Sequence, residues 1–407
     1  MSLKNRLEHL YGPQPSTSLR SRLNKLRSSR DPAEIALRLG GRLKSVGGEK
    51  VLTISRKYDL NCFHGKGSLK LLRTFPAIHF ARLCGTRLDN FNSEQILFLD
   101  TETTGLAGGT GTYVFLIGAG FLQGDHFELH QVFLHDLVAE PHILEELIRL
   151  VSPEIGRFRH LVTFNGKSYD LNLLETRFLL HRKQNPFSDF HHLDLLYPSR
   201  VLWKGTLPDC SLQSLERNII GYRRTADVPS HLIPDIYFRY LRGNPDYRAF
   251  EQIFQHNRLD ILSLAQLLTE LGAALDGTSN SGHVDPLRAA HLLTLRGRIA
   301  DAVDLLKTAL QHSRHNRTQI QMQLGLLYKK SGCFSAALEV LMELIRRTDS
   351  PPQMCYEEAA KILEHRQGKL EDALLLVEEA IDLHPDCESL KQRRRRLVAK
   401  IAGQKWY

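Results

Sequence analysis

The stretch Ile96–Gly120, ILFLDTETTGLAGGTGTYVFLIGAG, decides how this chain is read. An apolar run ends in two acids one residue apart, Asp100 and Glu102, and a burst of glycines follows. In a strand, side chains two residues apart point to the same side, so the two carboxylates share a face. Held together they repel, and a cation between them resolves the conflict. Hard oxygen donors suit magnesium or manganese. A lone Asp-x-Glu is common by chance, however, and glycines can also cradle a nucleotide. GGTGTY (108–113) lacks the Gly-Lys-Ser/Thr of a phosphate loop and leads into the strand-like Tyr113–Leu122. Its glycines permit the positive φ angles of a tight connection and a close backbone approach. It reads as a strand connection beside an acidic site.

Further acids follow in order. FNGKSYDLNLL, Phe164–Leu174, places Asp170 at the start of a helix directly after a strand. HNRLDILSL, His256–Leu264, places His256 and Asp260 four residues apart on a predicted helix, and so on one helix face. Four carboxylates and a histidine thus stand at strand and helix ends within one region.

Asp-x-Glu, then Asn-x4-Asp, then a helix bearing His-x3-Asp resembles the three-motif pattern of the DEDD (DnaQ-like) exonucleases, on an α/β ribonuclease-H-like fold. FLDTETTGLAGGTGTYVFLIG followed by TFNGKSYDLNLL is similar, more narrowly, to the YprB-type ribonuclease-H-like family. The resemblance covers about residues 95–270. It implies that Asp100, Glu102, Asp170 and Asp260 hold two Mg2+ or Mn2+ ions and that His256 is the general base. It further implies that Thr103 and Leu106 lie against the terminal nucleotide and that Asn165 positions the substrate or the second motif. The chain departs from the histidine subfamily in one respect. That subfamily carries its histidine five residues before the last aspartate. Here the spacing is four, where the other subfamily has tyrosine.

Around this centre the chain reads as three regions. Residues 1–94 form a basic, irregular, partly disordered N-terminal extension, with short helical patterns near Leu3–Leu10 and Ala33–Leu43. Residues 95–272 form the nuclease-like α/β domain, a mixed sheet flanked by helices. Its predicted strands are Ile96–Asp100, Tyr113–Leu122, Phe127–Phe133 and His160–Phe164. Its predicted helices are Pro141–Val151, Leu171–His181, Ser211–Asn218 and Tyr247–Leu271. Residues 273–286 read as a linker, and 287–403 as an all-α region. In that last region GRIADAVDLLKTAL, GCFSAALEVLMELI and GKLEDALLLVEEAI begin at Gly297, Gly332 and Gly368. All three carry Ala at +5 and apolar residues at +8, +9 and +13. Helical hairpins of this kind bury their apolar faces by stacking. They resemble tetratricopeptide repeats, although several consensus aromatics are missing, and an unrelated helical bundle is the alternative. Members of the YprB-type family can carry such repeats.

Charge points the same way as the motifs. The chain carries +9 overall, and residues 1–56 alone hold twelve Lys and Arg against four acids. A clustered basic arm is a footprint for phosphate backbones, though a solvated tail has the same composition. No apolar run reaches the ~18 residues of a membrane span, and the N-terminus lacks the apolar core of a signal peptide. Six scattered cysteines without a Cys-x-x-Cys pair read as reduced thiols of a cytoplasmic protein.

Secondary candidates are His191, His192 and Asp194 in FHHLDLLYPSR, with Asp194 in an orienting role, and the glycine loop around Lys66 in FHGKGSL. The expected activity is metal-dependent phosphodiester hydrolysis, as a 3′–5′ exonuclease on single-stranded DNA or RNA, with a protein partner on the repeats. The alternatives are a nucleic-acid-binding scaffold with an inactive nuclease domain, and a structure-specific endonuclease.

Overall fold

The computed structural model describes residues 32–86, 88, 90–105, 109–151, 158–276, 284–312 and 316–404. Strand β1 is Arg42–Val46, β2 Glu49–Asp59, β3 Phe63–His64, β4 Gly67–Ser68, β5 Ile96–Thr103, β6 Val114–Gln123, β7 His126–Phe133, β8 His160–Thr163 and β9 His191–Asp194. Seven of them form one mixed sheet in the order β1-β2-β7-β6-β5-β8-β9, while β3 and β4 pair separately. The β5–β6 and β6–β7 pairs are antiparallel, and the β5–β8 and β8–β9 pairs are parallel.

The helices are α1 Pro32–Leu39, α2 Lys70–Arg73, α3 Ala77–Cys84, α4 Glu140–Val151, α5 Asp170–Leu180, α6 Leu196–Trp203, α7 Leu212–Leu215, α8 Ile233–Leu241 and α9 Tyr247–Asp276, followed by α10 Pro286–Leu295, α11 Ile299–His312, α12 Arg317–Lys330, α13 Phe334–Arg347, α14 Gln353–Ile362, α15 Leu370–Leu383 and α16 Glu388–Gln404. The chain divides into two units. One holds residues up to Phe75, Asn90–Leu196 and Ser211–Leu268; the other holds Pro76–Asp89, Tyr197–Cys210 and Thr269 onward.

In the sheet unit the apolar strands are buried almost throughout, as Leu97, Phe98, Leu99, Phe115, Leu116 and Ile117 show. Glycines set how closely α9 approaches. A Cβ at Gly118 would stand 2.3 Å from Asn257 Oδ1, and one at Gly120 would stand 2.4 Å from Ile261 Cγ2. Bare backbone on β6 therefore lets α9 settle directly on the sheet. Gln131 on β7 adds an anchor, donating to Phe254 O at 2.9 Å and Asn257 Oδ1 at 2.8 Å.

The N-terminal region departs from the irregular extension expected over residues 1–94. Residues 42–59 form β1 and β2, and β2 pairs with β7 along Leu52↔Phe133 to Asp59↔His126. Val51, Leu52 and Ile54 are buried, and Gly47 and Gly48 turn the β1–β2 hairpin at positive φ, 58° and 89°. The flanking cations mask this pattern in the sequence. Lys57 lies on the sheet surface and pairs with Glu128 at 3.1 Å. The pattern at Leu3–Leu10 and the first part of the basic arm lie outside the described residues.

The helical unit treats three places of the repeat template alike in all three segments, the glycine, the alanine at +5 and the apolar residue at +9. Gly297, Gly332 and Gly368 occupy inter-helix turns at positive φ, 72°, 81° and 67°. Ala302, Ala337 and Ala373 are fully buried, as are Leu306, Leu341 and Val377. The unit also takes in two segments that the sequence places elsewhere. On α3, His79 Nε2 and Arg82 pair with Asp276, and Arg82 also reaches Asp301 at 3.1 Å. After α6, the carbonyl of Lys204 accepts from Arg288 at 2.7 Å. Within the stretch expected as a linker, 273–286, α9 runs on to Asp276 and α10 begins at Pro286; residues 277–283 lie outside the described residues.

Candidate active site

Three elements bring the acids together. β5 carries Asp100 and Glu102, the start of α5 after β8 carries Asp170, and α9 carries His256 and Asp260. Three of the four carboxylates have a clear protein donor. Asn257 Nδ2 donates to Asp100 Oδ2 at 2.8 Å and to the Asp100 carbonyl at 3.2 Å. The Thr101 hydroxyl donates to Asp170 Oδ1. Arg224 Nη2 donates to Asp260 Oδ1.

The β8–α5 turn is built around a further acid. Asp194, at the end of β9, accepts from the amides of Asn165 at 2.8 Å, Lys167 at 2.9 Å and Leu196 at 3.1 Å. Asn165 is exposed and takes a left-handed φ of 63°, and a Cβ at Gly166 would meet Thr163 at 2.6 Å. Asp194 thus fixes the backbone from which Asp170 projects, an orienting role. His192 meets the Thr163 hydroxyl at 2.9 Å.

The segment after β5 is latched to α5. The Tyr169 hydroxyl donates to the Gly105 carbonyl and lies 3.0 Å from the Thr103 hydroxyl, which itself donates to Gly105 O at 3.0 Å. Thr103 is buried, so its hydroxyl serves this latch. Arg177 completes the support, donating to the Thr110 carbonyl at 2.7 Å, lying 4.4 Å from the Tyr113 ring centre and pairing with buried Glu140. The described part of the glycine-rich stretch is therefore a braced connection from β5 to β6, with Gly109 at φ 86°. Leu106 lies outside the described residues.

Residues absent from the sequence motifs surround the histidine. His256 Nδ1 lies 2.6 Å from Asp227 Oδ1, and its Nε2 lies 3.5 Å from Asp260 Oδ2. Nδ1–H therefore donates to Asp227, and Nε2 is the nitrogen turned toward the acids. Arg224 forks onto Glu216 through Nε at 2.8 Å and Nη2 at 2.6 Å, and reaches Asp227 through Nη1 at 3.0 Å. Glu216 in turn accepts from Ser263, whose hydroxyl meets His64 Nε2 at 2.7 Å. The loop around Lys66 belongs to this inner packing, because Lys66 N donates to the Ile220 carbonyl at 2.8 Å. Arg224 and Asp227 sit in a charged loop and Glu216 at the end of a short helix, and no short motif marks any of them. Asn257 adjoins His256 in HNRLD, where the spacing of the motif makes it look like filler.

Negative charge is in excess. Desolvation, then the charges of Asp260, Glu102 and Asp170, push the Asp100 carboxyl well above the usual carboxylate range. Glu102 is raised to about 8, first by burial and then by Asp260 and Asp170, with His256 opposing. Burial lifts Asp170 to about 6 against the Thr101 hydrogen bond. For His256 burial works downward, but Asp260, Asp227 and Glu102 outweigh it and raise the imidazole to about 9. The carboxylates of Asp100, Glu102, Asp170, Glu216, Asp227 and Asp260 thus gather around two cationic side chains, Arg224 and His256.

Among the described residues, no group of three or more His, Cys, Asp or Glu side chains stands in an arrangement that holds a metal ion. Oxygens of Asp260, Asp100 and Asp170 are turned to Arg224, Asn257 and Thr101 instead. The donor chemistry nonetheless fits a hard dication, being all carboxylate and short of positive charge.

Residues 97–272 match the family model described as RNase_H superfamily. This stretch is an RNase_H superfamily domain. It contains β8, α5, nearly all of β5 and the part of α9 that carries His256 and Asp260. The chain is also similar to the uncharacterized protein YprB of Bacillus subtilis (strain 168), 29% identical over 326 residues that cover 77% of this chain and 76% of that protein. The likeness is thus longer than the RNase_H superfamily domain alone. No helix among the described residues is long and apolar enough to cross a membrane.

Proposed function

We propose that the protein is a divalent-metal-dependent nuclease that hydrolyses phosphodiester bonds, acting as a 3′–5′ exonuclease on single-stranded DNA or RNA. The observation that carries this reading is the excess of buried acidic groups at the meeting point of β5, α5 and α9, inside an RNase_H superfamily domain. Fully ionised, the six carboxylates named above exceed the two side-chain cations by four charges, which two dications would balance.

Asp100, Glu102, Asp170 and Asp260 would hold two Mg2+ or Mn2+ ions. When bound, such ions supply Lewis acidity toward a phosphodiester and its attacking water. The side chains do the remaining work. Asp227 keeps a proton on His256 Nδ1, so that Nε2, once it has given up the proton it carries in the metal-free site, is the atom that would take one from water. Asn257 orients the Asp100 carboxylate, and Asp194 fixes the turn that presents Asp170. The latch of Tyr169, Thr103 and Gly105 shapes the edge assigned to the terminal nucleotide.

The helical unit is assigned to protein binding, as a tetratricopeptide-like platform. Its support is the repeated turn glycine and buried alanine. The basic N-terminal arm is assigned to nucleic-acid backbones, and six free thiols suit a cytoplasmic setting. The test is a panel of DNA, RNA and hybrid oligonucleotides, labelled at either end and run with Mg2+ or Mn2+. A ladder shortening from the 3′ end is expected. Cleavage of circular substrates would favour an endonuclease, and no turnover with either ion would overturn the reading.

A further inference from the structure

Among the described residues, Arg224 is the cation of the acid cluster that reaches three carboxylates at once. Its side chain is 6% exposed. The fork onto Glu216 is its fixed anchor, because Glu216 is itself buried and held by Ser263. Of the three protons left over, one goes to Asp227 and one to Asp260, and Nη1 also lies 3.2 Å from His256 Nδ1. A planar guanidinium is suited to this shared pairing, whereas an ammonium concentrates its charge at one point.

We propose that Arg224 is a built-in counter-ion that closes the acid cluster when no metal is bound and competes with divalent cations for Asp260. This inference rests on the nuclease reading and deepens it, because it concerns how that site admits its ions. It accounts for the side-chain arrangement: the acids crowd together, yet oxygens of three of them face protein donors. Loading would turn Asp260 away from Arg224, while Glu216 and Asp227 keep the guanidinium in place. The positive charge that remains nearby then opposes the incoming ion, so affinity is set below what four carboxylates alone would give.

The experiment is Mn2+ binding to the full chain by titration calorimetry, with free Mn2+ counted by electron paramagnetic resonance. Wild type is compared with Arg224→Gln and Arg224→Lys, and thermal melts check folding. Arg224→Gln is expected to bind Mn2+ about tenfold more tightly, in line with loss of one charge-assisted contact and one nearby like charge. Arg224→Lys is expected to fall between, and it carries the test if Arg224→Gln does not fold. Unchanged or weaker binding in the folded variants, with wild type binding normally, overturns this inference alone. Absence of Mn2+ binding in all three proteins removes the nuclease reading and the inference with it. Binding by the variants only is the strongest support.

Discussion

In the sheet unit, six carboxylates crowd around Arg224 and His256. In the helical unit, one buried carboxylate, Glu364, receives Arg393 at 2.8 Å, Arg396 at 2.8 Å and Lys400 at 2.7 Å. The two assemblies use the same chemistry with opposite balance. Against the upward push of burial, hydrogen bonds from Lys400 and Arg396 pull Glu364 down to about 2. Glu102, pushed up first by burial and then by neighbouring acids with too few cations to oppose them, rises to about 8. A cluster with surplus cations is satisfied as it stands and clamps α16 onto the end of α14. A cluster with surplus anions holds its protons tightly, and added positive charge would relieve it. The difference separates a packing device from the cluster proposed here to be reactive. Each arginine of the run in KQRRRRLVAK pairs with an acid of the same unit, and Arg393 is the one of the four that is largely shielded from solvent.

The sharpest way to break the comparison is Asp100→Asn. Nucleotide release from labelled substrate should fall on the order of 10³-fold. The metal-free protein should meanwhile gain about 1 kcal/mol in urea denaturation, since a buried like charge is removed. A loss of stability would mean that the acids are already well paired. Gly118→Ala comes next, because its Cβ would strike Asn257 and lift α9. Turnover should drop about 10²-fold through displaced groups, with about 1–3 kcal/mol of destabilisation.

Glu364→Gln tests the other side. It should cost about 2 kcal/mol in a urea melt, discounted because Arg396 and Lys400 are 48% and 44% exposed, and it should leave hydrolysis intact. The smallest effect concerns pH. Burial, then the charge of Arg224, lowers His64 to about 4. Its folded pKa lies below the unfolded value near 6.5, so its contribution is present above about pH 6.5 and fades as pH falls toward 4. His64→Gln should flatten the acid limb of the stability curve by about 1 kcal/mol, read from melts between pH 4 and 7.

Much of the sheet unit was legible because its signals are local. The apolar run before Asp100, the strand–turn–helix around Asp170 and the four-residue spacing of His256 and Asp260 each fit within a dozen residues. β1 and β2 were not, because cations at Lys50, Arg56 and Lys57 interrupt their pattern and the pairing partner β7 lies more than sixty residues away. Arg224 and Asp227 were missed for a related reason: a charged loop ordinarily faces solvent, and only folding turns this one inward onto Glu216. Asn257 is a case of its own, since its value comes from Gln131 and Asp100, neither of which is near it in sequence. The repeat glycines and alanines were legible because packing in stacked hairpins depends on the nearest neighbours along the chain.

The bare backbone at Gly118 gives a criterion for reading other chains of this kind. A relative could retain every acid and the histidine and still lose most of the proposed activity, if a side chain at that single position wedged the helix off the strand. Screening candidates for a hydrogen there, before counting carboxylates, would sort working copies from relics.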